Sequence, residues 1–105
     1  MTVIINNEIL EFDWDNWNRY KNETKHNVTV LEAEDAFTDE RRLVYLDFRH
    51  LGNEKRYAML AKTATGRLLI VIYTERAQKV RVISARDASG KERLLYEETI
   101  NRAEI

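Results

Sequence analysis

The segment Arg67–Glu75 reads Arg-Leu-Leu-Ile-Val-Ile-Tyr-Thr-Glu, a nearly continuous apolar run between charged residues. Apolar and polar residues do not alternate along it. This is typical of a central strand that is buried on both faces of a sheet. A chain of 105 residues is too short for two independent cores, so we expect one domain spanning residues 1–105 around this strand.

Three further strands are predicted around the central one. Leu43 to Phe48 and Arg56 to Thr63 precede it, and glycines mark the turns between these segments. Lys79 to Ala85 follows it after a short break at Ala77-Gln78. Tight spacing of this kind predicts an antiparallel meander of four strands. A strand from Val3 to Phe12 is expected at an edge.

Helices are expected before and after the meander. Asp15 is placed to cap a helix that ends near His26, and a second short helix is predicted from about Val30 to Phe37. Ser89 and Glu92 match a capping box that starts a C-terminal helix. The order of elements therefore predicts an α+β fold, with a four-stranded antiparallel sheet, two N-terminal helices and one C-terminal helix.

Charge is distributed unevenly along a chain whose net charge is only −1. Residues 1–40 carry three Lys/Arg and ten Asp/Glu, whereas residues 41–93 carry thirteen Lys/Arg and five Asp/Glu. The basic middle of the chain either forms a face that binds anions or is neutralised by acidic helices packed over it. Charge alone leaves both interpretations open.

Composition excludes several classes of protein. The chain has no cysteine, which excludes disulfides and thiolate metal sites. Its first residues lack a basic region followed by a long apolar run, and no segment approaches the roughly 20 apolar residues of a membrane span. We therefore expect a cytoplasmic protein without a membrane partner.

Three blocks of sequence share their residues and spacing with a known family. They are Trp14-Asp15, Asn22, Lys25-His26 and Val28; Glu54, Arg56, Thr63 and Gly66 to Leu69; and Tyr73 to Arg76, Arg81 to Arg86, Ala88, Lys91 to Arg93 and Tyr96-Glu97. In this order the blocks, from about Phe12 to Glu98, resemble the BrnT family of toxins, whose compact fold is related to the RelE-type ribonucleases. Asn18 and Asn27 depart from the family, which often has lysine and glycine at these positions.

The resemblance implies an endoribonuclease toxin of a type II toxin–antitoxin system, which cleaves mRNA without metal or cofactor and inhibits translation. It also implies a cognate antitoxin that forms a hetero-oligomer with the toxin, and operator DNA that is reached only through the antitoxin. A catalytically inactive toxin-fold module that still engages an antitoxin is the main alternative. A DNA-binding regulator that acts alone is less favoured, because no predicted helix is strongly basic.

Metal-free RNA cleavage needs groups that move protons and groups that stabilise charge on the phosphate. Arginine suits the phosphate because it stays protonated and forks onto two oxygens. Arg81 and Arg86, on and just beyond the last strand, are the expected phosphate ligands, and Arg67 and Arg56 are placed behind them. Each could instead be a solvated charge on a strand.

The candidate proton carriers are His26 and His50, because histidine is the side chain whose ordinary pKa lies nearest neutrality. The alternative for His26 is a cation that caps the end of its helix. The residues expected to contact the RNA backbone are Lys25, Arg56, Arg76 and Lys79. Trp14 and Trp17 could stack on bases, but core positions are favoured for both. No spacing of ligands predicts a metal site.

Overall fold

A four-stranded antiparallel sheet forms the centre of the computed structural model, which describes residues 2–5, 8–47, 52 and 54–103. Its strands lie in chain order, β3-β4-β5-β6. They are β3 (Leu43–Leu46), β4 (Tyr57–Lys62), β5 (Leu68–Arg76) and β6 (Lys79–Asp87). The predicted meander is therefore confirmed. The last strand runs two residues beyond the predicted Ala85, and Phe48 lies outside the described residues.

Strand β5 pairs with β4 on one side and with β6 on the other. Leu69 and Val71 belong to one buried apolar cluster, whereas Leu68 and Ile70 belong to a second cluster on the opposite face of the sheet. Burial on both faces explains why this segment is apolar without alternation, and it confirms the prediction of a central strand.

The N-terminal helices are α1 (Asn16–His26) and α2 (Val30–Ala36), and Ala33 and Ala36 of α2 pack against the sheet in the larger core. The ring of Phe37 packs edge-on between those of Phe12 and Tyr73, at centroid distances of 5.1 and 5.0 Å. Such edge-to-face pairs add to the free energy gained from burial. On the opposite face, Tyr96 of the C-terminal helix α3 (Gly90–Ala103) is buried in the smaller core.

All three helices begin with reciprocal side-chain caps. The Asp15 side chain accepts from the Asn18 amide while the Asn18 side chain accepts from the Asp15 amide, at 3.1 and 2.7 Å. Thr29 and Glu32 form the same box at α2. At α3, the Ser89 amide donates to Glu92 at 2.8 Å and the Glu92 amide donates to the Ser89 hydroxyl at 3.2 Å. The predicted α+β order of elements is confirmed.

Helix α1 lies along the outer edge of β6 and contacts it through amide side chains. Asn18 Nδ2 donates to the Val82 carbonyl at 3.0 Å, and Asn22 Oδ1 accepts from the Ala85 amide at 3.0 Å. The Asp13 amide also donates to the backbone of this strand, at Val80. These bonds satisfy backbone groups that an edge strand otherwise leaves open. Asparagine, not leucine or isoleucine, therefore fills the buried face of α1.

The prediction of one N-terminal edge strand from Val3 to Phe12 is wrong. The segment forms two strands, β1 (Thr2–Ile5) and β2 (Glu8–Glu11), which pair with each other as a separate antiparallel sheet. Among the described residues of this segment, Phe12 alone forms a bridge to the main sheet, opposite Val80. Because α1 already occupies the edge of β6, a full strand cannot add there.

No helix within the described ranges is long and apolar enough to cross a membrane.

Candidate functional site

Arg81 projects from β6 toward the start of α1, where two carboxylates hold its guanidinium. Its Nη2 lies 2.8 Å from Asp15 Oδ2, and its Nη1 lies 3.5 Å from Asp13 Oδ2. Hydrogen bonds from the Asn18 amide and from Arg81 keep the pKa of Asp15 below its usual range. The Arg81 side chain is only 11% exposed, whereas those of Asp13 and Asp15 are 42% and 50% exposed. Arg81 is thus a largely buried cation whose two carboxylate partners are about half exposed to solvent.

Trp17 lies beside Arg81 and is exposed, so the expectation that it belongs to the core is wrong. Its exposed fraction is 56%, because α1 turns its asparagines toward the sheet and its aromatic side chains outward. Lys21 Nζ lies 4.5 Å from the centre of its ring, and Arg81 Cζ lies 6.0 Å from it. Trp14, in contrast, is half-buried against the larger core and donates to Glu34 at 2.9 Å.

Lys21 contacts both the Trp17 ring and the sheet, and it lies near other cations. Its Nζ donates to the carbonyl of Ile83 at 3.4 Å, at a bulge where Ile83 is left without a pairing partner on β5. Burial lowers the pKa of Lys21, and the nearby charges of Lys25 and Arg56 lower it further. The side chains of α1 and the sheet thereby collect several positive charges in one region.

An open groove of about 590 Å³ runs along the exposed side of α1. Its lining consists of Trp17, Tyr20, Lys21, Thr24 and Lys25. Sequence reasoning selected Lys25 but missed Lys21. The signal was present: positions 17, 21 and 25 follow one another at intervals of four, which places them on one side of a helix.

Arg86 is separated from Arg81 and takes part in a different contact. Its Nη1 and Nη2 bind the two oxygens of Glu92 at 2.9 and 3.1 Å. Burial opposes ionisation of Glu92, but the bonds from Arg86 and from Ser89 prevail and lower its pKa. Arg81 and Arg86 lie five residues apart on β6, which is about 16 Å along an extended strand, and they bind different carboxylates.

Arg67 joins three elements and uses every nitrogen of its guanidinium. Nε and Nη2 bind Asp87 at 2.7 and 3.2 Å, and Nη1 binds Glu32 at 2.8 Å. The carbonyls of Asn27 and His26 accept from it at 2.8 and 3.3 Å. The hydrogen bonds that Arg67 donates to Asp87 and Glu32 raise the pKa of Arg67. Arg67 therefore ties the end of α1 and the start of α2 to the end of β6.

The other candidate residues are distributed over the molecule. Arg76 pairs with Glu54, and Lys79 is exposed next to the turn between β5 and β6. Arg56 Nε is buried and finds no hydrogen-bond partner in the described part of the chain. Lys25 and His26 form the last turn of α1. His50 lies outside the described residues.

Asn18 and Asn27, the two departures from the family pattern, each have a structural role. Asn18 is fully buried, and its Nδ2 donates to the carbonyls of Asp13 and Val82, so it supports the fold. Asn27 ends α1 with a φ of 53°, the left-handed conformation that glycine usually supplies and that asparagine tolerates. Across the described ranges, no group of three or more His, Asp or Glu is arranged to hold a metal ion.

Residues 14–92 match the family model described as ribonuclease toxin, BrnT, of type II toxin-antitoxin system. The chain belongs to the BrnT family. The match begins at Trp14 and ends in the first turn of α3, so it includes α1, the main sheet and all the arginines discussed above. BrnT proteins are ribonuclease toxins of type II systems, and membership therefore implies an antitoxin partner. No curated protein matches the chain.

Proposed function

We propose that this BrnT-family chain is an endoribonuclease toxin that cleaves mRNA without a metal or cofactor and so inhibits translation. Family membership supplies the ribonuclease class. The observation that carries the proposal for this chain is the group of cations beside α1. The charges of Lys25 and Arg56 are close enough to Lys21 to lower its pKa. Lys21 and Arg81 both lie near the ring of Trp17. Such a concentration of positive charge attracts a polyanion.

Arg81 is the proposed ligand of the scissile phosphate. Its present partners are Asp13 and Asp15, which are exposed enough to be exchanged for phosphate oxygens. An arginine that is fixed before substrate arrives stabilises the charge that develops on the phosphate. His26, which follows Lys25 at the end of α1, is the proposed proton carrier.

The remaining candidates take different roles in this proposal. Arg86 would bind a second phosphate, whereas Lys25, Arg56 and Lys79 would contact the RNA backbone. Arg67 and Arg76 are assigned to internal ion pairs that maintain the surface. His50 stays a candidate for proton transfer, as the sequence predicts.

The antitoxin is proposed to cover the same cations with an acidic or amphipathic segment, in competition with RNA. The resulting hetero-oligomer would reach operator DNA through the antitoxin alone. We propose that this activity is cytoplasmic, since its RNA and DNA partners are found there. We also propose that residues 1–105 form one toxin domain, in which the sheet and helices are arranged as in the RelE-type ribonucleases.

A catalytically inactive module that only engages the antitoxin is the second candidate. One observation favours it: Arg67, Arg76, Arg81 and Arg86 all pair with carboxylates of the same chain. A substrate must displace such partners before these arginines can act on it. The two functions differ in whether the purified chain cuts RNA.

The test incubates purified toxin with single-stranded RNA in the presence of EDTA and identifies the ends of the products. We expect cleavage with a 2′,3′-cyclic phosphate, and about 100-fold or greater loss of rate in Arg81→Ala, since removing one charge-stabilising donor typically costs that much. Arg102→Ala is the matched control, because Arg102 is 76% exposed at the far end of α3. Intact RNA with wild-type protein that still binds its antitoxin would establish the inactive module instead.

A further inference from the structure

Helix α1 exposes the side chains that a helix normally buries. Trp17 and Tyr20 are each 56% exposed, whereas Asn18 and Asn22 are 0% and 2% exposed. The edge of β6 explains the asparagines, because their amides satisfy its backbone. Nothing in the packing of the described chain requires two large aromatic rings on the outside. Exposed aromatic side chains grouped in this way indicate a binding surface.

The Trp17 ring is held in place although it is exposed. Lys21 lies 4.5 Å from the ring centre and is itself bonded to the Ile83 carbonyl, and Arg81 approaches the ring from β6. Cations over an indole are attracted by its negative face. A flat apolar surface that is fixed before binding loses little conformational entropy when a ligand stacks on it.

Among the residues that the structure describes, the groove beside the ring is lined by two lysines and by no aliphatic side chain. Besides Trp17 it is lined by Tyr20, Lys21, Thr24 and Lys25. An amphipathic protein segment would need pockets for leucine- or valine-like anchors. A single strand of RNA needs a ring on which a base can stack and nearby cations for its phosphates, which is what the groove offers.

We propose that Trp17 is a stacking platform for an unpaired base of the RNA, and that Lys21 and Lys25 bind the adjoining phosphates. The inference rests on the proposed RNA substrate and names a binding subsite for it. Because every base presents a π-face, this platform would accept all four bases and select single-stranded over paired RNA. It would also deliver the strand next to Arg81, whose Cζ lies 6.0 Å from the centre of the same ring.

The probe is a fluorescein-labelled 2′-O-methyl oligonucleotide, which carries bases and phosphates but lacks the 2′-hydroxyl needed for cleavage. Its dissociation constant is measured by fluorescence anisotropy for wild type, Trp17→Ala and Trp17→Phe, with Leu94→Ala as control because Leu94 is also 56% exposed. A matched oligonucleotide with abasic sites keeps the phosphates alone. We expect Trp17→Ala to weaken binding of the base-containing probe about 5- to 150-fold, with partial recovery in Trp17→Phe.

On the abasic probe, wild type and Trp17→Ala should bind equally. Equal weakening on both probes, no weakening on either, or no binding of the probe by wild type would each overturn the platform. Loss of antitoxin binding with unchanged affinity for the oligonucleotide would overturn it too, in favour of a protein-binding surface.

The platform and the nuclease can fail separately. Trp17-dependent binding of the probe by a wild-type chain that leaves natural RNA intact supports the platform and refutes the nuclease. Cleavage by wild type, combined with a dissociation constant that Trp17→Ala does not change, refutes the platform alone.

Discussion

Replacing Arg67 by alanine should destabilise the protein without acting on a substrate contact. The change removes two bonds to backbone carbonyls, at about 1 kcal/mol each, and two ion pairs that are partly open to solvent, at about 0.5 kcal/mol each. The exposed fractions of 31% for Glu32 and 67% for Asp87 justify that discount. The sum is about 3 kcal/mol, which for a domain of this size lowers Tm by roughly 12–20 °C.

Thermal and urea unfolding of wild type, Arg67→Ala and Arg67→Lys measure this effect. Lysine keeps the charge but cannot reproduce the fork that spans Glu32 and Asp87, so it should recover less than half of the loss. Arg102→Ala, an exposed arginine on α3, should change the free energy of unfolding by less than about 0.5 kcal/mol. If Arg67→Ala unfolds like wild type but binds RNA more weakly, Arg67 is a substrate ligand and the reasoning is refuted.

The contribution of Arg67 should also depend on pH. Its bonds lower the pKa of both Asp87 and Glu32 from ordinary values of 3.8 and 4.5. A carboxyl whose pKa is lowered by folding stabilises the native state above its unfolded pKa, and the stabilisation is lost as pH falls through the folded pKa. The difference between wild type and Arg67→Ala should therefore be constant above about pH 5 and shrink below it. A difference that grows on acidification would contradict the assignment.

Three further variants test how particular contacts support the fold. Ala77 and Gln78 both have positive φ, at 50° and 67°, a conformation that asparagine and glycine adopt more readily. The double variant Ala77→Asn with Gln78→Gly should therefore be more stable in thermal melts by about 0.5–1 kcal/mol. A lower Tm would count against this reasoning. Asn22→Ala should cost about 2–3 kcal/mol, because the buried Ala85 amide loses its acceptor, and hydrogen exchange at Ala85 should accelerate; unchanged exchange would disprove this role. Glu34 is buried, and one of its oxygens has no hydrogen-bond partner among the described residues. Glu34→Gln should therefore raise the urea midpoint at pH 7, and a fall would contradict the burial argument.

Local patterns predicted the parts of the fold that depend on near neighbours in sequence. The capping box at Ser89 and Glu92 needs only a spacing of three residues, and the apolar run in β5 shows its burial on both faces directly. The prediction for the N-terminal segment is wrong because a helix, and not a strand, lies along the edge of β6. The sequence of residues 2–12 does not indicate that Asn18 and Asn22 bond to the backbone at that edge.

The candidate site shows the same division. The sequence indicated that phosphate ligands would be arginines of the basic middle segment, but their residue type does not reveal their partners. Arg67 and Arg81 look alike in sequence. In the structure, one uses its whole guanidinium on four internal partners and the other is held by two exposed carboxylates beside Trp17.

By itself, the sequence determined the order of helices and the four-stranded meander, the central strand, the caps and the family, since all of these are written in residue types at short, regular spacings. Only the tertiary structure decided which face of α1 is buried and which arginines remain available. Those outcomes depend on residues more than sixty positions apart, such as Asn18 with Val82 and Asp15 with Arg81. Contacts between residues so far apart produce no regular spacing in the sequence, because the two partners become neighbours only after the chain has folded.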